Sequence, residues 1–207
     1  MASTLERLVE DYEVIVVNDG SRDRTREIVE GLNATNTRIR CVNHPVNKGY
    51  GEALRTGFTA ATKDLVFLTD GDKQFDVNEV ERFIPATARA DIVAGYRSPR
   101  RDPAIRLLYA HGWNLLVRLL FGRTVRDIDC AFKLFKREVW TNVNVHSGGA
   151  TFSAEFLIRA KRAGYTMVEL PVTHFPRTAG SPTGGNPKVI LRAFRDLLWL
   201  RLHIHES

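Results

Sequence analysis

The chain has 207 residues, 43% of them hydrophobic and 26% charged, and it carries a formal net charge of +6 at pH 7. This composition is ordinary for a globular protein, and the length is that of one domain with a sizeable core. No stretch reaches the roughly 18 uninterrupted apolar residues of a membrane span, the start lacks the pattern of a secretory signal, and the two cysteines have no metal or redox spacing. We expect a single domain over residues 1–207, located in the cytoplasm.

Short apolar runs alternate with helix-like segments through the first half of the chain. Strands are predicted at residues 13–17, 38–42, 65–69 and 91–95, and each is preceded by a helical pattern. Alternation at this spacing is typical of βαβ units. It predicts an α/β fold with a mostly parallel sheet and helices on both faces.

The second half of the chain is less regular. Residues 103–121 are Leu-rich and predicted to be helical, and strands are predicted at 131–135 and 167–172 with a helix at about 152–163 between them. Residues 178–187 are rich in Gly, Pro, Ser and Thr, which is typical of a mobile loop. No internal repeat or low-complexity tract is present.

Carboxylates stand directly after two of the predicted strands. Asp70 and Asp72 follow the strand at 65–69, and Asp19 follows the strand at 13–17. Because ligands of open α/β sheets bind at the carboxyl ends of strands, these groups are predicted to converge on one ligand. Oxygen ligands on a flexible loop suit a hard divalent cation that also holds phosphates. The alternative is that these residues serve only as turn residues, for which Asp-Gly is common.

Five motifs follow one another along the chain. They are Asn18-Asp19-Gly20-Ser21, Asn47-Lys48-Gly49-Tyr50-Gly51-Glu52-Ala53, Asp70-Gly71-Asp72-Lys73-Gln74, Asp127-x-x-Cys130-Ala131-Phe132-Lys133-Leu134-Phe135, and Glu169-Leu170-Pro171-Val172 followed by Arg177. In this order, from about Thr4 to the C-terminus, the chain resembles family 2 glycosyltransferases of the GT-A fold. The last two motifs are similar to those of the polyprenyl-phosphate branch, which includes dolichol-phosphate mannosyltransferase and bacterial undecaprenyl-phosphate glucosyltransferases.

The resemblance implies a three-layer α/β/α fold of the GT-A type with a mostly parallel, mixed central sheet. A nucleotide-sugar half is expected at about residues 1–96 and an acceptor half at about 97–207. The implied reaction is inverting transfer of a hexose, mannose or glucose, from a nucleotide sugar of the GDP-mannose or UDP-glucose type to a polyprenyl or dolichyl phosphate, assisted by Mg²⁺ or Mn²⁺. The mannosyl branch is interpreted as the closer match. Because the attacking phosphate oxygen is already ionised at neutral pH, catalysis is expected to depend on positioning and on stabilising the departing nucleotide diphosphate.

The resemblance also implies roles for individual residues. The implied metal ligands are Asp72, Asp70 and Gln74, and the implied donor-binding residues are Asp19, Gly20, Ser21, Lys48, Gly49 and Asp70. The implied catalytic residues are Asp70, Asp72 and Asp127. Asp127 either orients the acceptor or a donor hydroxyl, or caps the entry to a strand. Glu155 is interpreted as a partner for an arginine, and His174 as a loop residue.

Arginine is suited to planar phosphate recognition, and four arginines are predicted to bind the acceptor phosphate: Arg97, Arg106, Arg118 and Arg177. Family position favours the last three. On an ideal helix Arg106 and Arg118 point about 120° apart, so they share a site only if the helix bends, for which Gly112 is a plausible place. The alternative for each arginine is an exposed surface charge.

Basic residues are interleaved with leucine and tryptophan in residues 96–126 and 188–201. In the last predicted helix, Lys188, Arg192 and Arg195 recur at helical spacing. This pattern fits an anionic lipid interface and predicts peripheral contact with the cytoplasmic face of a membrane. The alternative is an amphipathic helix packed on the sheet. No nucleic-acid-binding motif is present, so no nucleic-acid partner is expected, and the oligomeric state is left open.

Two features depart from the family pattern. Family members begin with a central apolar strand and a Pro-x-Tyr-Asn-Glu-like turn, whereas this sequence starts at the helix that follows, which suggests a truncated start. The strands at 13–17 and 65–69 are therefore expected to leave a gap or to be forced together, because unpaired central backbone groups are costly. Ala131 replaces a glycine. Two other functions stay open: the same fold with a glycolipid, polysaccharide or protein acceptor, and a catalytically silent nucleotide-binding protein.

Overall fold

The computed structural model describes residues 1–100, 104–177 and 187–204, and the side chains of 104–106 and 187–190 are outside the described part. Helices and strands alternate, as predicted. The strands are β1 (Val14–Asp19), β2 (Ile39–His44), β3 (Leu65–Thr69), β4 (Ile92–Arg97), β5 (Phe132–Lys136) and β6 (Met167–Val172). The helices are α1 (Ala2–Leu8), α2 (Thr25–Thr35), α3 (Tyr50–Ala60), α4 (Val80–Phe83), α5 (Ala104–Phe121), α6 (Arg137–Asn142), α7 (Phe152–Arg162) and α8 (Pro187–His203).

The six strands form two sheets. β1 and β2 pair in parallel, and the other four strands lie in the order β3-β5-β4-β6. In the larger sheet β4 and β6 are parallel, while β5 runs antiparallel to both β3 and β4. The carboxyl ends of β3 and β4 therefore meet the amino end of β5 at one edge, which brings the loops at these ends together.

Each face of the larger sheet carries its own apolar core. Successive side chains of a strand point to opposite faces, so Ile92 and Ala94 lie in one cluster and Val93 lies in the other. The first cluster includes residues of α3 and of α5 to α8, and the second includes residues of α1 and α4. The sheet thus lies between two helical layers, which is the predicted α/β/α arrangement.

The two sheets are adjacent in the fold but share no strand pairing within the described residues. This is the gap in hydrogen bonding expected beside β1 and β3. Side chains connect the two parts instead: Glu13, just before β1, accepts a hydrogen bond at 2.8 Å from the hydroxyl of Thr62, which lies shortly before β3. Lys63 donates to Asp11 at 2.6 Å. Side-chain contacts, together with the packing of α3 on β1, hold the smaller sheet in place.

The helices depart from the predictions in two places. The helix predicted at 78–88 is the short α4 between the 3-10 turns Val77–Glu79 and Ile84–Ala88, because Pro85 supplies no backbone N–H for a longer helix. α6 follows β5 directly and was not predicted. The predicted loop at 178–187 falls, up to residue 186, outside the described residues. Within those residues, no helix is both long and apolar enough to cross a membrane.

Candidate active site at the carboxyl edge of the sheet

Asp70 and Asp72 lie at the edge where β3, β4 and β5 meet. Desolvation, and then the neighbouring charge of Asp72, raise the pKa of Asp70 to about 6. Asp72 is mostly buried and accepts a hydrogen bond from the backbone N–H of Gln74 at 3.0 Å. Two carboxylates are thus concentrated at one point, where a cation relieves their mutual repulsion.

A second segment is fastened to the Asp72 loop. The N–H of Phe175 donates to the carbonyl of Gln74 at 2.9 Å, and Phe75 and His174 form an antiparallel bridge. The buried Gln74 side chain donates to the carbonyl of Phe175 at 3.2 Å. Gln74 was predicted to be a metal ligand and His174 to be a plain loop residue. In the structure both residues join the two segments. This clamp places Arg177 beside Asp72, with Nη2 of the arginine 2.7 Å from the carboxylate Oδ2.

Asp19 organises the amino end of α3. Its carboxylate accepts the backbone N–H groups of Lys48 and Gly49, both at 2.8 Å, and lies 2.7 Å from Nδ1 of the buried His44. Burial raises the pKa of Asp19, but the hydrogen bonds from His44 and from the two N–H groups outweigh burial and lower it. The next residue along α3, Tyr50, places its hydroxyl 3.5 Å from Asp70. Tyr50 thus links the segment around Asp19 to Asp70, and Asp19 also fills the turn-capping role that was its alternative. The convergence of Asp19 and Asp70 on one ligand stays a prediction.

The turn after β1 is tight. Gly20 has a φ of +69°, and a Cβ there would lie 2.6 Å from the carbonyl carbon of Val46. The N–H of Ser21 donates to the side chain of Asn18 at 3.0 Å. The predicted donor-binding residues Gly20, Ser21, Lys48 and Gly49 therefore form one small surface around Asp19.

Asp127 and Arg97 form a buried ion pair. Nε and Nη2 of Arg97 each lie 2.7 Å from the Asp127 carboxylate, and the Arg97 backbone N–H also donates to it at 3.2 Å. Burial raises the pKa of Asp127, but Arg97, followed by Arg100, outweighs burial and lowers it. Arg97, predicted to bind the acceptor phosphate, and Asp127, predicted to be catalytic, thus bind each other. Their ion pair fixes the loop before β5 to the end of β4.

Two charged residues without a predicted role lie in β5 and in the loop before it. Nζ of Lys133 is buried beneath the loop, where it donates to the carbonyls of Ile128, at 3.0 Å, and Cys130. Asp129 reaches solvent but is closely surrounded by protein, and this desolvation raises its pKa to about 6. The alternation of Lys133 with apolar residues in β5 gave no sign of function, because the same pattern occurs in strands with one face in water.

α5 is one continuous helix from Ala104 to Phe121, with Gly112 inside it. The 12 residues between Arg106 and Arg118 correspond to about 18 Å along the axis. The joint phosphate site of these two arginines, which depends on a bend in α5, stays a prediction. Arg118 is exposed, and the side chain of Arg106 is outside the described part.

The loop at residues 145–149 closes over the start of α3. Glu155 is fully buried, and it accepts the N–H groups of His146 and Ser147 and pairs with Arg159 at 2.7 Å. Arg55 of α3 holds the loop from the other side by donating to the carbonyls of Val145, at 2.5 Å, and Ser147, at 3.1 Å. The predicted pairing of Glu155 with an arginine is confirmed. Its position indicates a structural role.

The residues of the site fit a divalent cation that takes some of its ligands from the protein and the others from a substrate. Within the part of the chain that the structure describes, no three His, Cys, Asp or Glu side chains form a complete metal cage. Mg²⁺ is commonly bound by one or two carboxylates, with substrate phosphates and water as its other ligands. Asp70 and Asp72 supply that number of carboxylates.

Two neighbouring helices expose apolar side chains near this edge. α8 buries Leu197 and Leu200 against the core, and Trp113 of α5 stacks edge-on against Phe194 of α8, with ring centres 6.2 Å apart. Other large apolar side chains of these helices are exposed, and on α8 they lie among exposed arginines. We define the α5–α8 face by Leu108, Tyr109, Leu115, Leu119, Leu191, Phe194, Leu198, Trp199 and Leu202, which are 41% to 75% exposed.

Known proteins share both the sequence pattern and the fold. Residues 1–143 match the family model described as glycosyl transferase family 2. A dolichyl-phosphate beta-glucosyltransferase of Trichomonas vaginalis is 31% identical over 176 residues, which cover 78% of this chain and 52% of the relative. The glycosyltransferase AglD of Haloferax volcanii is 34% identical over 195 residues, covering 90% of this chain and 30% of the relative. The chain thus spans about half or less of the length of these relatives.

Solved structures share the architecture. Glucosyl-3-phosphoglycerate synthase from Mycobacterium tuberculosis, in complex with Mn²⁺, UDP and glucosyl-3-phosphoglycerate, superposes with a TM-score of 0.68. The match covers 96% of this chain and 72% of that one at 20% identity, so it shows the fold. The predicted GT-A-like α/β fold is therefore confirmed, and the family match over more than half of the chain agrees with it. The chain belongs to glycosyl transferase family 2.

Proposed function

We propose that the chain transfers a hexose, in the first instance glucose, from a nucleotide sugar to a polyprenyl or dolichyl phosphate. The observation that carries the proposal is the meeting of Asp70, Asp72 and Arg177 at one edge of the sheet. This combination suits a metal-bound diphosphate beside a phosphate acceptor. The names of the Trichomonas relatives support the glucosyl group and the dolichyl phosphate, and the neighbour bound to Mn²⁺ and UDP supports a uridine nucleotide and a divalent metal.

The residues of the site divide the work of the proposed reaction. A divalent cation, when bound, neutralises charge on the departing diphosphate. Asp72 and Asp70 would hold that cation in the loop after β3, and the surface around Asp19 would position the nucleoside. Arg177 orients the acceptor phosphate, whose oxygen is ionised at neutral pH and needs no general base. Lys133 keeps the loop before β5 in place through two backbone carbonyls.

We further propose that the α5–α8 face contacts an anionic membrane surface. On α8 the apolar stripe formed by Leu191, Leu198 and Leu202 is bordered by Arg195 and Arg201, all of them exposed. Leucine side chains can enter the lipid interface while neighbouring arginines extend to lipid phosphates. At such a surface the chain would meet polyprenyl phosphate, because the hydrocarbon tail of this acceptor lies in the membrane.

Vesicle flotation tests the membrane contact. The wild type is expected to float with vesicles rich in anionic lipid, and the double substitution Leu198→Gln with Leu202→Gln is expected to remain with the soluble fraction. Leu32→Gln is the control, because Leu32 is a comparably exposed leucine on α2. Equal flotation of the double variant and the control would contradict the contact.

A donor and acceptor panel tests the reaction. UDP-glucose and GDP-mannose are incubated with a short polyprenyl phosphate and Mg²⁺ or Mn²⁺, and the lipid product is measured. We expect product with the wild type and with Asp64→Asn, at the amino end of β3, and loss of product with Asp72→Asn. Unchanged product formation by Asp72→Asn would remove the metal assignment. Donor turnover without any lipid phosphate would instead favour a different acceptor.

A further inference from the structure

The ion pair between Arg177 and Asp72 joins two groups with different proposed partners. Their atoms lie 2.7 Å apart, and both side chains are largely shielded, with 31% of the arginine and 16% of the aspartate exposed. Asp72 is proposed to bind a divalent cation, and Arg177 is proposed to bind a phosphate. In this structure the two side chains instead bind each other.

Arg177 and Asp72 cannot keep this contact once Asp72 binds a divalent cation. The guanidinium would then lie within a few ångströms of a doubly charged ion, in a partly buried place where repulsion is weakly screened. The clamp between residues 74–75 and 174–175 holds the backbones of the two segments together. The conflict is therefore resolved by movement of the Arg177 side chain, two residues beyond the clamp.

We propose that Arg177 is a latch on the metal carboxylate. Without a divalent cation it occupies Asp72, and a cation arriving with the nucleotide displaces it and frees the guanidinium for the phosphate of the acceptor. The latch rests on the proposed function, because it concerns the same site.

Mn²⁺ binding without nucleotide, measured by calorimetry, tests the latch directly. Arg177→Gln removes the competitor for Asp72, so Mn²⁺ affinity is expected to rise about two- to fivefold, the range for a partly exposed ion pair. Arg177→Lys retains a competing cation and is expected to stay near the wild type. Arg24→Gln, an arginine paired with Glu27 at 2.8 Å on α2, is the control and should change nothing.

A second measurement follows the released guanidinium. Binding of a short polyprenyl phosphate is measured with and without Mn²⁺ and UDP. In the wild type the metal and nucleotide are expected to strengthen binding, and in Arg177→Gln this gain should disappear. Equal gains in both proteins would overturn the latch.

The outcomes separate the latch from the proposed function. If the wild type transfers hexose but Arg177→Gln binds Mn²⁺ no more tightly than the wild type, the latch is wrong and the function stands. If neither protein binds Mn²⁺, even with UDP, both are wrong. If Arg177→Gln binds Mn²⁺ more tightly but the wild type transfers no hexose, the latch stands as a metal switch and the proposed reaction is refuted.

Discussion

The buried pair of Arg97 and Asp127 allows a quantitative test of how the site loop is held. Only 9% of the Arg97 side chain and 6% of the Asp127 side chain are exposed, and three hydrogen bonds join the two residues. Removing one partner of such a pair leaves an uncompensated buried charge and typically costs about 3–5 kcal/mol. We therefore expect Asp127→Ala and Arg97→Met each to lower the free energy of unfolding by about this amount.

The double substitution carries the decisive information. If each single loss is mainly the cost of an unpaired charge, removing both charges costs much less than the sum, and the coupling energy is about 2–4 kcal/mol. Arg100, 3.4 Å from the same carboxylate, keeps part of the charge and reduces the coupling. Asp127→Asn, which retains one oxygen acceptor, should cost about 1–3 kcal/mol and keeps the test possible if the alanine variant fails to fold.

Urea unfolding followed by circular dichroism measures these differences. Additive losses, with no coupling between Arg97 and Asp127, would refute the reasoning, because the two residues would then act independently. That result would favour the prediction that Arg97 or Asp127 binds substrate directly. The control is the pair of Arg24 and Glu27, which is exposed and should show little coupling.

Two further predictions concern packing and pH. Gly51→Ala would place a Cβ 2.6 Å from the backbone of Gly148, so the free energy of unfolding, measured by thermal unfolding, should fall by about 1–3 kcal/mol. Gly31→Ala is the control and should not lower it, because a Cβ at Gly31 would meet open space. The hydrogen bonds of Lys136 and Thr166 lower the pKa of Asp91 from 3.8 to about 2. Because this pKa is lower in the folded state, the stability it confers is present above about pH 4 and lost as the pH falls towards 2. Asp91→Asn should therefore flatten that part of the stability profile, and an unchanged profile would contradict the assignment.

Local patterns predicted the strands well because short apolar runs bounded by charged or turn residues are typical of strands. The run Leu65–Thr69 is a strand with the predicted bounds, and Met167–Val172 is another. That Asp19 and Asp70 both lie at the carboxyl ends of strands follows from the βαβ pattern, although β1 and β3 belong to different sheets. The short helix around Pro85 shows the limit of the helical pattern, since one missing N–H donor outweighed it.

The partners of the site residues were not predictable from sequence. Asp72 and Arg177 are 105 residues apart in the chain, and Arg97 and Asp127 are 30 apart. Motifs identify residue types, but whether an arginine is free for phosphate or occupied by a carboxylate depends on tertiary packing. The burial of Lys133 was hidden for the same reason.

Binding of UDP, measured by calorimetry with and without Mn²⁺, shows whether Asp72, in the loop after β3, holds a nucleotide diphosphate through a divalent cation. We expect Mn²⁺-dependent binding of UDP by the wild type and by Asp64→Asn, and its loss in Asp72→Asn. Absence of UDP binding to the folded wild type in the presence of Mn²⁺ would contradict the account and favour a catalytically silent protein.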